Sequence, residues 1–334
     1  MNGIFLQPHL SESFREKGYL LIDLLSQPET EELWNFYHAL HHTHKTGYGF
    51  HVSLDNHDPE FVRQINNKVL KILNQNLTNF FTGFRLISGR FLVKDENRQG
   101  LVTPHQDWSF TNETEQTFSA TIWIPLKDVG IQNGAIGVIE GSHKLYKGIR
   151  ATPLPIFKVP FEDCAARIFP YLKILDMKAG QALMMDNRLI HGSPPNLNPQ
   201  PRIAVGAEII PAEATLYHYY LHPKFQEIEQ YEIDDTFFYR FSNAKLLDLY
   251  RNNSGPDGYK AVNRLPYNPK QLTWEQVNQQ IQSLFPHVYN PLLQHIFDYS
   301  YQHTDKHPFE SNHQTHSATS SNSILNRVIS WLKQ

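Results

Sequence analysis

The sequence predicts a mainly β protein with flanking helices, on two observations. From about residue 84 to 220, short apolar stretches at 118–126, 135–139, 182–185 and 203–210 are separated by Gly, Pro and Asn, the rhythm of a β-sandwich or barrel. On either side the apolar spacing changes to that of helices lying on a sheet.

The elements follow in order. Residues 18–25 (GYLLIDLL) read as an apolar strand, after which Ser26-Gln27-Pro28 opens a helix with Glu29, Glu31 and Glu32 in its first turn. Leu33, Phe36, Tyr37 and Leu40 give that helix its docking face. A second helix is expected over about 59–80, with Phe61, Ile65, Val69, Ile72 and Leu73 on one side. Beyond the β region, TWEQVNQQIQSLF forms another helix in which Thr273 and Gln276 make a capping box. Residues 303–322 are polar and rich in Ser, Asn and His, the composition of a linker, and 323–334 form one short amphipathic helix. One domain over 1–302 is expected, with its core at about 84–220 and a helical, aromatic region at 221–302.

Bulk composition excludes more than it identifies. Thirty basic against 33 acidic residues leave a formal charge of −3, so no overall field favours nucleic acid or an anionic membrane. The single cysteine, Cys164, has no disulfide or metal-clip partner. The chain lacks a basic start followed by an apolar run, as well as any membrane-length apolar stretch, and a soluble, cytoplasmic protein is expected. Eighteen histidines raise the question of a metal.

Position answers it. In TPHQDWSF, His105 and Asp107 are two residues apart and point to one side of an extended strand. His191, in DNRLIHGSPPN, supplies a third donor. Two histidines and one carboxylate on one face of an ion leave positions open, as in non-haem iron oxygenases. An H-x-D tripeptide alone arises by chance, so the surroundings decide. Arg202 heads the strand RIAVGAEII, whose alternate positions Arg202, Ala204, Gly206 and Glu208 oppose a core face of Ile203, Val205, Ala207 and Ile209. Its planar, permanently charged fork suits the far end of a dicarboxylate. In FSATIWIPL, Ser119, Thr121 and Trp123 share the face away from Phe118, Ala120, Ile122 and Ile124, which is either solvent-facing or the wall of a cavity.

HQDW (105–108), SATIWIPLKD, QNGAIGVIEGSHK (132–144) and HGSPPN followed by Arg202 occur in the order of the phytanoyl-CoA dioxygenase family, which the chain resembles over about residues 14–210. The resemblance implies a double-stranded β-helix (jelly-roll or cupin-like) core and iron(II) on His105, Asp107 and His191. It further implies 2-oxoglutarate held by Arg202 and Ser193, with Trp123 lining the pocket and Arg90 and Thr121 facing it. With O2, such a site hydroxylates an unactivated C–H bond and yields succinate and CO2. One departure is Ala204, where many 2-oxoglutarate enzymes carry a hydroxyl two positions after the arginine. Asp107 is retained, whereas related halogenases replace that carboxylate with a small residue to admit chloride, and this implies a hydroxylase. The expected partner is a small-molecule substrate, free or carrier-linked, on a monomer or homodimer. The alternatives are a silent metal- or ligand-binding scaffold and a zinc hydrolase using the same ligands.

Other histidines read as decoys. His38, His41, His42 and His44 lie at a helix end or in the loop after it, with solvated or packing roles. Residues 48–51 could belong to a loop over the site, with Gly47 and Gly49 allowing unusual backbone angles. His143 reads as a turn residue, and His218 and His222 as packing along a strand. The aromatic residues Tyr217, Tyr219, Tyr220, Phe237, Phe238 and Tyr239 either cap the pocket or build a dimer interface.

Overall fold

The computed structural model describes residues 4–40, 49–96, 100–114 and 117–303, with residues 301–303 described by their backbone alone. Among these are thirteen strands: β1 (Tyr19–Asp23), β2 (Phe50–Val52), β3 (Phe84–Lys94), β4 (Val102–His105), β5 (Ala120–Pro125), β6 (Gly137–Val138), β7 (Lys173–Ile174), β8 (Gln181–Asp186), β9 (His191–Ser193), β10 (Arg202–Pro211), β11 (Tyr217–Leu221), β12 (Glu227–Glu232) and β13 (Ala261–Pro266). They form a six-stranded sheet in the order β1-β8-β5-β10-β3-β2, a four-stranded sheet β4-β9-β6-β7 and a three-stranded sheet β11-β12-β13. All named pairings are antiparallel.

Strand alternation sorts the six-stranded sheet into two faces. Leu20, Ile22, Ala120, Ile122, Ile124, Ala182, Met184, Val205 and Ile209 are buried with Leu33, Ile65, Val69, Leu73 and Leu77 of helices Gln27–Ala39 and Pro59–Leu77. The opposite face, through Tyr19, Trp123, Leu183, Met185 and Ala204, packs on Ala135, Ile136, Val138 and Leu175 around the four-stranded sheet. Two unequal antiparallel sheets face to face, with helices on the outer side of the larger, make the jelly-roll core. Leu33 and Leu73 are fully buried, and cutting either to Ala removes about 2–5 kcal/mol.

Helix starts follow local chemistry. Ser26 and Glu29 close one capping box and Thr273 and Gln276 another, each worth about 1 kcal/mol. The helix expected over 59–80 stops at Leu77. Of the stretch 135–139 only β6 pairs as a strand, because Gly137 and Val138 alone lie in register with both β7 and β9. Helix Pro8–Lys17 was not foreseen: its only buried residue is Phe14, too little for an apolar period.

The aromatic region forms a core of its own. Tyr220, Tyr231, Phe237, Phe238, Phe241 and Leu246 are buried together beneath the three-stranded sheet, with Phe110 among them and Trp108 packed at the edge. Most of these aromatics therefore spend their area inside the chain. Helix Pro291–His303 closes the described part, and residues 304–334, with the expected linker and last helix, lie outside it, as do His41, His42, His44, Gly47 and Tyr48. Among the described residues no helix is long and apolar enough to cross a membrane.

Candidate metal centre and anion pocket

Backbone pairing brings the candidate ligands together. Strands β4 and β9 are antiparallel neighbours in which His105 lies directly opposite His191, and Asp107 follows two residues after β4 ends. The histidine rings lie 4.2 Å apart, and the Nε2 atoms of both are 3.8 Å from Asp107 Oδ1. One ligand atom from each of the three residues falls within 4.8 Å of the others, the only such His/Cys/Asp/Glu group among the described residues.

The ring nitrogens facing away from the centre fix the tautomers. His105 Nδ1 lies 2.8 Å from the Thr103 carbonyl and His191 Nδ1 3.0 Å from that of Leu189. A carbonyl can only accept, so each Nδ1 carries the hydrogen and each Nε2 presents a lone pair to the centre. Burial, reinforced by His191, pushes His105 down to about 4, which keeps the imidazole neutral at pH 7. Burial pushes the Asp107 carboxyl up, but His191, His105 and the Thr121 hydroxyl together hold it below its ordinary value. Two neutral imidazoles and an ionised carboxylate are the donor set that a divalent transition metal takes.

Behind Asp107 lies a polar network. Thr121 Oγ1 donates to Asp107 Oδ2 at 2.6 Å, leaving Oδ1 toward the histidines, and Glu208 Oε2 lies 3.0 Å from the same hydroxyl. Arg90 is engaged there too, donating to Glu208 at 2.5 Å and to the Ser88 hydroxyl and carbonyl at 3.0 Å. Burial pushes Glu208 up, Arg90 opposes the rise and Asp107 adds to it. Arg150 donates through Nε to the Asp107 carbonyl at 3.0 Å while its other nitrogens hold Glu113. The loop after β4 is thus pinned from two sides.

A second feature lies along β10. Arg202 is buried, and its Nε and Nη1 have no hydrogen-bond partner among the described residues. Its guanidinium sits 5.1 Å from the centre of the Trp123 ring. Burial pushes it down to about 9, still charged at neutral pH. A buried cation with two unpartnered nitrogens, three N–H groups in all, is costly to keep, and an anion beside it would relieve that cost. Ser193 is buried on β9 two residues from His191, on the same side of the strand, and its hydroxyl meets the ammonium of Lys94.

The residues predicted from sequence occupy two groups: His105, Asp107, His191 and Thr121 at the candidate metal centre, and Ser193, Arg202 and Trp123 along β9, β10 and β5. Arg90 lies in the Glu208 network. Thr121 and Trp123 are both buried, so their face of β5 is an interior wall rather than a solvent face. Lys94 was missed, because only strand register places it opposite Arg202; its sole sequence signal is a charge ending an apolar strand. Glu162, pushed up mainly by burial and within electrostatic reach of His105, was also missed.

The decoys resolve locally. His38 packs on Trp34 and Tyr37, and His51 pairs with Asp95 at 2.7 Å. His143 meets the Arg15 carbonyl, while His218 meets Thr152 and stacks near Phe237. His222 Nδ1 accepts the Lys224 N–H, and Cys164 is buried and free.

A family model described as phytanoyl-CoA dioxygenase matches residues 26–204, more than half of the chain. The Arabidopsis thaliana protein of that name is 29% identical over 131 residues, covering 38% of this chain and 45% of the relative. A Dictyostelium discoideum phytanoyl-CoA dioxygenase domain-containing protein 1 homolog is 26% identical over 197 residues, covering 57% and 64%. The chain spans about half the length of most of the curated relatives it matches. Among solved structures, the carbocyclase SnoK from nogalamycin biosynthesis aligns with a TM-score of 0.47 at 21% identity, over 63% of this chain and 86% of that one. HygX from Streptomyces hygroscopicus, solved with nickel, 2-oxoglutarate and hygromycin B, aligns at 0.43 and 16% identity, over 62% and 88%.

Proposed function

The chain belongs to the phytanoyl-CoA dioxygenase family, and from that premise we propose that it is an iron(II)- and 2-oxoglutarate-dependent oxygenase that hydroxylates a C–H bond of a small-molecule or carrier-linked substrate. One observation carries the reading: the structure holds both a His-Asp-His donor set and a buried arginine that has unpartnered nitrogens and no acidic partner among the described residues. A hydrolytic metal site accounts for the first and leaves the second unexplained.

His105 Nε2, His191 Nε2 and Asp107 Oδ1 would hold the iron, and Arg202 with Ser193 the far carboxylate of 2-oxoglutarate. Iron and 2-oxoglutarate, once held there, would supply the oxidising chemistry, with O2 as oxidant and succinate and CO2 as co-products. The protein contributes geometry. The Thr103 and Leu189 carbonyls hold Nδ1–H of each ring, which orients both Nε2 atoms toward the centre. Thr121 turns Asp107 so that one oxygen faces the centre. Trp123 and Ala204 wall the space beside Arg202, where exclusion of water strengthens the charge-assisted bonds to a carboxylate.

The test is succinate. Protein reconstituted with iron(II) and given 2-oxoglutarate, O2 and a metabolite mixture is expected to release succinate and to yield a product heavier by one oxygen atom. No succinate from protein that demonstrably binds iron contradicts the proposal, and succinate with an unsaturated, cyclised or epimerised product corrects the reaction type.

A further inference from the structure

Lys94 is completely buried and forms no ion pair with an acidic side chain among the described residues. In the β3–β10 register it stands directly opposite Arg202, so the two cations share one face of the sheet. Lys94 Nζ lies 2.7 Å from Ser193 Oγ, 3.2 Å from the Ser193 carbonyl and 2.5 Å from the Pro194 carbonyl. Its stem is held by the turn before β6: a Cβ on Gly134, whose φ is +75°, would come within 2.8 Å of Lys94 Cδ and 2.9 Å of the Pro194 carbonyl. That turn therefore accepts only glycine without moving the lysine.

Burial and the nearby Arg202 push Lys94 well below the ordinary lysine value, and the three oxygens around Nζ, two of them carbonyls that can only accept, oppose this by favouring the ammonium, which has three hydrogens and no lone pair. All three are directed to acceptors here, so Ser193 Oγ must accept and its single hydrogen must point elsewhere. Ser193 is on the His191 side of β9, and Arg202, opposite Lys94, keeps Nε and Nη1 unpartnered among the described residues. We propose that Lys94 is a positioning residue for the 2-oxo acid: it fixes Ser193 as a donor and adds a second buried positive charge, so that the pocket selects an acid with a carboxylate at its far end. Lys94 does not itself touch the acid, since its hydrogens are spent on β9. The inference rests on the oxygenase reading above.

The experiment compares two acids sharing the chelating 2-oxo head, 2-oxoglutarate and the monoacid 2-oxovalerate. Dissociation constants are measured by calorimetry on the iron(II)-loaded full chain under argon, for wild type, Lys94→Met, Ser193→Ala and the double variant. Lys94→Met is expected to weaken 2-oxoglutarate about 10- to 100-fold, as loss of an orienting partner does, and 2-oxovalerate less than about threefold. Ser193→Ala should add little on the Lys94→Met background, because both act through one hydroxyl. If Lys94→Met does not fold, Lys94→Gln still donates to the carbonyls but offers the hydroxyl an acceptor, and the same selective loss is expected. Equal weakening of both acids, or an unchanged preference in folded Lys94 variants, overturns the inference alone. A wild-type protein that binds iron but neither acid overturns the oxygenase reading and this inference with it.

Discussion

Replacing Arg202 with Met should stabilise the protein while disabling its pocket. The guanidinium is buried with Nε and Nη1 unpartnered among the described residues, and the chain bears that cost in the ligand-free state. A buried methionine of similar reach removes the charge, and exchanging buried ionic for apolar groups gains about 1–4 kcal/mol in comparable cases. Binding moves the opposite way. Truncating one partner of a buried, hydrogen-bonded charge pair costs about 2–5 kcal/mol, and about 3 kcal/mol corresponds to roughly a 150-fold weaker dissociation constant. At 2-oxoglutarate 100-fold above the wild-type constant, the wild type gains about 2.7 kcal/mol and the variant only about 0.3 kcal/mol. Denaturant unfolding of the iron-loaded protein under argon, with and without 2-oxoglutarate, reads both effects. A variant less stable than wild type without ligand, yet equally stabilised by it, refutes the reasoning: Arg202 would then serve the fold.

Further predictions test the surroundings. Thr121→Val frees Asp107 to rotate and is expected to weaken iron(II) affinity about 10- to 100-fold, measured by competition with a chelating dye; unchanged affinity would leave Thr121 a packing residue. Arg90→Met leaves Glu208 buried without its cation and should cost about 3–5 kcal/mol in denaturant unfolding, while 2-oxoglutarate affinity in the folded fraction changes less than about threefold; a selective loss of affinity would return Arg90 to the pocket. His218 is held by burial down to about 3. Between that value and the ordinary histidine value of about 6.5 the unfolded chain binds a proton that the folded chain refuses, so stability falls as pH drops, by about 1.4 kcal/mol per pH unit. His218→Gln should reduce the slope between pH 6 and 4 by about that much, and parallel slopes would contradict the assignment.

Much of this site was legible because it depends on short-range periodicity. His105 and Asp107 two residues apart, and Arg202 alternating with Ile203, state their faces without knowledge of partners. What the chain order hides is strand register: that β4 runs beside β9 with His105 opposite His191, or that β3 sets Lys94 opposite Arg202, is decided by pairings across about 90 to 110 residues. Arg90 illustrates the same limit. On its strand it belongs to the inner face, but only the fold shows that Glu208 is within its reach. For the aromatic run beyond residue 212 the sequence leaves a pocket cap and a dimer interface both open, because its sheet partners come from as far away as β13 and its apolar partners from segments such as Phe110; the fold packs Tyr220, Phe237 and Phe238 of that run into a separate core. Apolar composition predicts burial, but not against what.

Crystals of the protein soaked anaerobically with iron(II) and 2-oxoglutarate, with data collected at the iron absorption edge, put the central claim to its most direct test. The account predicts one strong anomalous peak bound by Nε2 of His105, Nε2 of His191 and Oδ1 of Asp107, with the far carboxylate of 2-oxoglutarate against Arg202 and Ser193. Iron bound elsewhere, or an acid whose free end turns away from Arg202, would contradict it.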